Sequence, residues 1–158
     1  MSVTVAFFPF PRVCFLVLGL LLLVVPGQSP AAPFDAYIVS RDAEATFRNF
    51  MEAWAYDQHW TMWEMGNHAS RMAWSQNDFG DRLRVSRIKP AAGKQVEEIR
   101  VYPKSASYAE IVVRFSLENH VQQRIRTFTM TVPMILQDGR WRFQLGDFLQ
   151  LLNAGYWY

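Results

Sequence analysis

The sequence predicts an α+β domain: three N-terminal helices packed on a curved four-stranded antiparallel sheet. Three observations carry that prediction. Hydrophobic spacing changes from a 3.6-residue to a two-residue period near Val85. Links between the alternating segments are too short for anything but antiparallel neighbours. The chain of 158 residues is long enough for one core and, once its apolar leader is set aside, too short for two.

Helical signals come first. Ser40, Arg41 and Asp42 offer N-cap residues ahead of Phe47, Phe50, Met51 and Trp54, which recur at i, i+3, i+4 and i+7 and form one apolar stripe. Glu44, Arg48 and Glu52 lie four apart on the opposite face, where oppositely charged neighbours pair in water. Asp57 is the expected N-cap of a second, short helix holding Trp60, Thr61, Trp63 and Glu64. Gly66 is expected to end it in the left-handed conformation. Ser75 and Asp78 have capping-box spacing for a third helix running to about Arg84, with Trp74 and Phe79 placed for a hydrophobic staple.

Four alternating segments follow, marked by Ile99 and Val101, by Ile111 to Leu117, by Phe128 to Leu136 and by Trp141 to Leu145. Each reads as a strand with one wet face. Turns are expected at Pro103–Ser105, at Glu118–His120 and at Asp138-Gly139. The last pair favours a type I′ hairpin. A short cap from Asp147 and the aromatic tail Tyr156-Trp157-Tyr158 complete the domain, the tail expected to pack back onto it.

Ahead of all this lies VCFLVLGLLLLVV, residues 13 to 25, followed by PGQSPAAP. The run has the length of a secretory h-region and falls short of the ~20 residues that span a bilayer. Ser29 and Ala31 supply small residues for cleavage before Ala32, while Arg12 and the α-amino group are the only positive charges of the n-region. Two readings follow, a cleaved signal peptide or an uncleaved signal anchor, and both export the rest of the chain. The expected organisation is a leader over 1–31, a linker over 32–39, the domain over 40–153 and the tail over 154–158. The product would lie in the periplasm or outside the cell, or stay tethered to the inner membrane through the leader alone.

Cys14 is the single cysteine and sits inside the run, so a cleaved product has no disulfide, no thiolate nucleophile and no cysteine metal site. The formal net charge of +2 supplies no field for nucleic acid. No zinc spacing is present, and no cofactor is expected.

The order of elements resembles the nuclear transport factor 2-like superfamily, the cystatin-like cone shared by ketosteroid isomerases and SnoaL-like cyclases. The resemblance rests on the first helix (Phe47, Phe50, Met51, Trp54), the capped third helix (Ser75, Asp78, Phe79) and the closing Gln137-Asp-Gly-Arg-Trp-Arg-Phe143, and covers roughly residues 38 to 148. It implies a fold and fixes no function. In isomerase-like members a carboxylate base, a tyrosine and a protonated acid work inside an apolar pocket. Here the apolar phase of the strands holds no Asp, Glu or His; Arg126 alone among charged residues shares it, at a strand start.

The expected function is therefore a non-catalytic exported domain. It would bind an apolar small molecule, or an envelope protein, with Trp54, Trp60, Trp63 and Arg126 at the site and self-association through the sheet as a further option. The alternative is a small isomerase, dehydratase or hydrolase using Asp57, His59 or His68, although Asp57-x-His59 spacing puts the two on different helix faces. Each candidate also has a plainer role: the tryptophans as core, Asp57 as a cap, His120 as a turn residue, and Arg82, Arg84, Arg87 and Lys89 as a solvated helix end and strand edge.

Overall fold

A computed structural model describes residues 34–93, 95–153 and 157. The apolar run, Cys14 and the cleavage position lie outside the described residues, as does most of the tail. Among the described residues, no helix is long and apolar enough to cross a membrane.

Helix α1 spans Ala36–Ala55. It starts earlier than Ser40-Arg41-Asp42 suggested, because the Asp35 carboxylate accepts from the backbone N–H groups of Tyr37 and Ile38 and takes the cap role. Its expected stripe is intact: Phe47, Phe50, Met51 and Trp54 are buried, and Val39 and Ala43 extend it. Arg48 pairs with Glu44 across one turn at 2.8 Å. The helix stops where Asp57 turns into the left-handed region at φ 58°, a conformation that Asp tolerates better than most residues.

Helix α2 is His59–Glu64, and its N-cap is Gln58, with no side-chain cap bond. Asp57 therefore does not cap it. Gly66 does not end it in the left-handed conformation either: Met65 closes the helix in the right-handed region, and Gly66 has no positive φ. An additional helix, α3 over His68–Ala73, is capped by Asn67, whose side chain accepts from the Ser70 N–H at 2.8 Å. Helix α4, Gln76–Ser86, begins as expected, with Ser75 Oγ accepting from the Asp78 N–H and donating to the Asp78 carboxylate at 2.6 Å. Trp74 and Phe79 both join the core. Among the described residues four helices, rather than three, thus precede the main strands.

The sheet has five strands: β1 Ile88–Pro90, β2 Glu98–Ser105, β3 Tyr108–Asn119, β4 Arg124–Gln137 and β5 Arg140–Phe143. It is antiparallel throughout and curls into a half-barrel under the helices. β1 and β2 both pair with the same edge of β3, one beside Leu117–Asn119 and the other beside Tyr108–Arg114, so they form one interrupted strand. The turn placed at Pro103–Ser105 lies two residues later, since Pro103 belongs to β2 and Ala106-Ser107 reverses the chain. Asp138 and Gly139 have φ 52° and 70° between paired Gln137 and Arg140, the expected hairpin. Leu145 leaves the last strand and opens helix α5, Leu145–Gln150.

The outer edge of β5 is covered at Phe143. Asn67 N–H donates to the Phe143 carbonyl at 2.9 Å, and Phe143 N–H donates to the Met65 carbonyl at 3.3 Å, so Met65–Asn67 runs along β5 like a sixth strand. A Cβ on Gly66 would lie 2.5 Å from Leu145 Cδ1. Close approach, not backbone conformation, requires glycine there. The same cover buries Arg142, which strand alternation had placed in water. Its guanidinium donates to the carbonyls of Glu64, Gly66 and Gln137, and burial lowers its pKa from the ordinary value, with Arg71 adding to the effect.

Between helices and sheet the interior is filled with rings. Phe50, Phe143 and Phe148 meet with centroids 4.8 to 5.4 Å apart, and Phe47 and Phe115 pack against them. Such pairs add about 0.5–1.5 kcal/mol each beyond area burial. Trp157 is buried too: its indole donates to the Leu151 carbonyl and its ring lies 6.1 Å from Phe128.

Candidate functional site

Helix α1 lies with its apolar stripe on the core and a cleft along each flank. At about 100° per residue, Arg48, Glu52 and Ala55 share one flank, and Asp42, Thr46 and Asn49 share the other. The first cleft, about 610 Å³, opens between α1 and the interruption separating β1 from β2. Its floor is apolar, made by Met51, Ala55, Pro90 and Val96. Charged residues of both signs also line it, Arg48 and Lys89 with Glu52 and Glu118. The second cleft, about 360 Å³, lies under the β4–β5 hairpin.

Lys89 also borders a smaller hollow of about 300 Å³ that holds Asp57, His59, Arg84 and Arg87. The left-handed turn at Asp57 brings its carboxylate to the Lys89 ammonium on one oxygen and to within 3.6 Å of His59 Nε2 on the other. Helix-face spacing had separated Asp57 from His59; the structure brings them together because Asp57 stands outside the helix. His59 is largely buried against Gly80 of α4, and desolvation lowers its pKa below the ordinary 6.5, outweighing the pull of Asp57. A neutral imidazole beside a carboxylate and an ammonium has the elements of a proton-transfer group. His68 is elsewhere, exposed at the start of α3 with its N–H on the Gln137 side chain. Arg126 pairs across the sheet with Leu117, and it borders none of these three clefts.

The tryptophans separate. Trp54 is buried and its indole N–H donates to the Ile88 carbonyl at 3.0 Å, a core role. Trp63 is half-buried and donates to the Trp74 carbonyl at 2.8 Å. Trp60 is exposed, its ring 6.4 Å from that of Trp63. None of the three lines the clefts beside α1. The basic stretch is mostly engaged: Arg82 stacks 4.3 Å over Trp74, Arg84 pairs with Asp81, Lys89 with Asp57, and Arg87 caps α4 at φ 57°. His120 is exposed in its turn, 3.6 Å from Glu118. Among the described residues, no three His, Cys, Asp or Glu side chains gather as a metal site.

Both α1 clefts escaped the sequence reading. The first depends on the gap between two collinear strands, which periodicity does not report. The only usable signal was Pro90-Ala-Ala-Gly93, a break in the alternation.

No protein-family model matches the sequence, and no curated protein matches it. Among solved structures the chain is similar to an NTF-2-like protein of unknown function from Shewanella oneidensis MR-1, at 16% identity and a TM-score of 0.46, covering 66% of this chain and 93% of that one. That likeness is to an NTF2-like protein and is one of fold alone.

Proposed function

We propose that the chain is an exported, non-catalytic binding domain whose ligand is a small amphiphile held between α1 and the β1–β2 interruption. One observation carries the reading: the cleft of about 610 Å³ combines apolar lining residues with charged ones, and its volume falls in the range of small-molecule sites. The ring-filled interior supports a ligand on the flank of α1 rather than within the cone. Export rests on the leader at 13–25 and belongs to the proposal. An envelope protein presenting an apolar side chain is the macromolecular form of the same chemistry.

The test is titration of the full chain with anilinonaphthalene sulfonate, a fluorescent amphiphile, followed by displacement with dodecanoate. Saturable binding that Ala55→Trp abolishes, with an unchanged thermal melt, supports the reading. Binding that survives Ala55→Trp overturns it. A second reading, an acid–base enzyme, is favoured by the Asp57–His59–Lys89 contact alone. It requires His59→Gln to remove a turnover that Ala55→Trp leaves in place.

A further inference from the structure

We propose that the second cleft, on the other flank of α1, binds a neutral saccharide unit. Two polar stripes at helical spacing face it: Asp42, Thr46 and Asn49 at i, i+4 and i+7 on α1, and Thr61 and Glu64 at i and i+3 on α2. Exposed helix faces are commonly polar, but here two of them converge on one concavity closed by the β4–β5 hairpin. Charge there is balanced, since Asp42 and Glu64 stand against Arg140 and Arg142. The Arg142 donors are already directed at backbone carbonyls, which leaves few of them for an anion in the cleft.

Asn49 and Glu64 each offer two adjacent polar atoms, which suits vicinal hydroxyls because a hydroxyl donates and accepts at once; Arg41 already bonds one oxygen of Asp42, and the Thr46 hydroxyl donates to the Asp42 carbonyl at 2.9 Å. Met65, Leu136 and Trp141 supply apolar surface for the face of a sugar ring. Trp141 adds a second, independent observation. The indoles of Trp54, Trp63 and Trp157 donate to backbone carbonyls. Trp141 is only 7% exposed and borders the cleft, yet its N–H makes no hydrogen bond among the described residues, nor is it sealed from solvent. Indoles buried to this degree ordinarily have a partner. A sugar hydroxyl in the cleft supplies one.

The experiment is a nuclear magnetic resonance titration of the full chain labelled with nitrogen-15 at tryptophan, its indole resonances assigned through side-chain correlation. The probes are glucose and N-acetylglucosamine, taken to about 50 mM to reach weak binding. The expected result is a saturable shift of the Trp141 indole with one sugar, weakened about fivefold or more by Asn49→Ala, roughly the loss of one hydrogen bond. Asn49 is exposed on α1, so this variant leaves the core untouched. Three results overturn the proposal: no shift with either sugar, shifts confined to other indoles, or a Trp141 shift produced by glycine or inorganic phosphate and not by sugars. Ala55→Trp is expected to leave this titration unchanged, which separates its outcome from that of the amphiphile site.

Discussion

Gly66→Ala tests the packing argument at its tightest point. The added Cβ would meet Leu145 Cδ1 at 2.5 Å, Leu145 Cγ at 2.8 Å and the Trp63 carbonyl at 3.1 Å. Carbon atoms rest about 3.5–4.0 Å apart, so the overlap with Cδ1 is about 1 Å or more. Leu145 is fully buried and cannot swing its methyl outward, and the backbone of Met65–Asn67 is held by its bonds to Phe143. Overpacking of this kind costs about 1–3 kcal/mol. In urea unfolding of the full chain, a loss of about 2 kcal/mol at an m-value of about 2 kcal/mol/M lowers the midpoint by about 1 M. Leu145→Ala alone is expected to cost about 2–5 kcal/mol through its cavity. In that background Gly66→Ala should cost much less, because the colliding methyl groups are gone and the Trp63 carbonyl at 3.1 Å remains as the close contact. A penalty equal in both backgrounds, or a Gly66→Ala variant as stable as the wild type, would refute the argument. Gly66→Asn separates it from a conformational one, since Asn suits a left-handed cap but not this contact.

Three other expectations follow from the same geometry. Arg142→Met leaves the carbonyls of Glu64 and Gly66 without their donor in a covered site, and a destabilisation of about 1–3 kcal/mol is expected in urea unfolding; Lys, lacking the fork of donors, should rescue little of it. Ser75→Ala removes the cap of α4 and should cost about 0.5–2 kcal/mol, read as a fall in melting temperature. His59 has a lowered folded-state pKa, caused first by desolvation, so the unfolded chain binds more protons just below pH 6.5. Its contribution to stability is complete above that value and is lost as pH falls toward the folded pKa. His59→Gln should flatten that part of the stability–pH curve, and an unchanged slope would remove His59 as its source.

Local signals made much of the fold legible. The stripe from Phe47 to Trp54, the Ser75–Asp78 box and the Asp138-Gly139 turn act within a few residues, and each is found where its chemistry placed it. Short elements were missed: α3 has six residues and β1 three, too few to complete a period. Gly66 and Arg142 were misread for one shared reason. Nothing near either residue reports that Met65–Asn67 lies against β5, because the pairing joins segments some 75 residues apart in sequence, and it buries a strand face that alternation assigns to water. The candidate site was less legible still. Its cations, acids and apolar floor come from α1, β1, the β1–β2 link and the end of β3, and no single segment holds enough of them to form a motif.

The interrupted strand and the strip of chain along β5 together determine how the sheet can meet other molecules. A free strand edge is a template for an incoming chain, and repeated additions lead to fibrils. Here Phe143 at the outer edge of β5 has its N–H and carbonyl taken by Met65–Asn67. The opposite edge is cut into two short pieces, carries Pro90 and Pro103, and shifts register between Pro103 and Ser105. Proline offers no amide proton, and a register shift puts the remaining groups out of step with a straight partner. Strand addition is thereby disfavoured along β1, β2 and β5. Along these stretches an incoming strand meets no continuous row of free donors and acceptors.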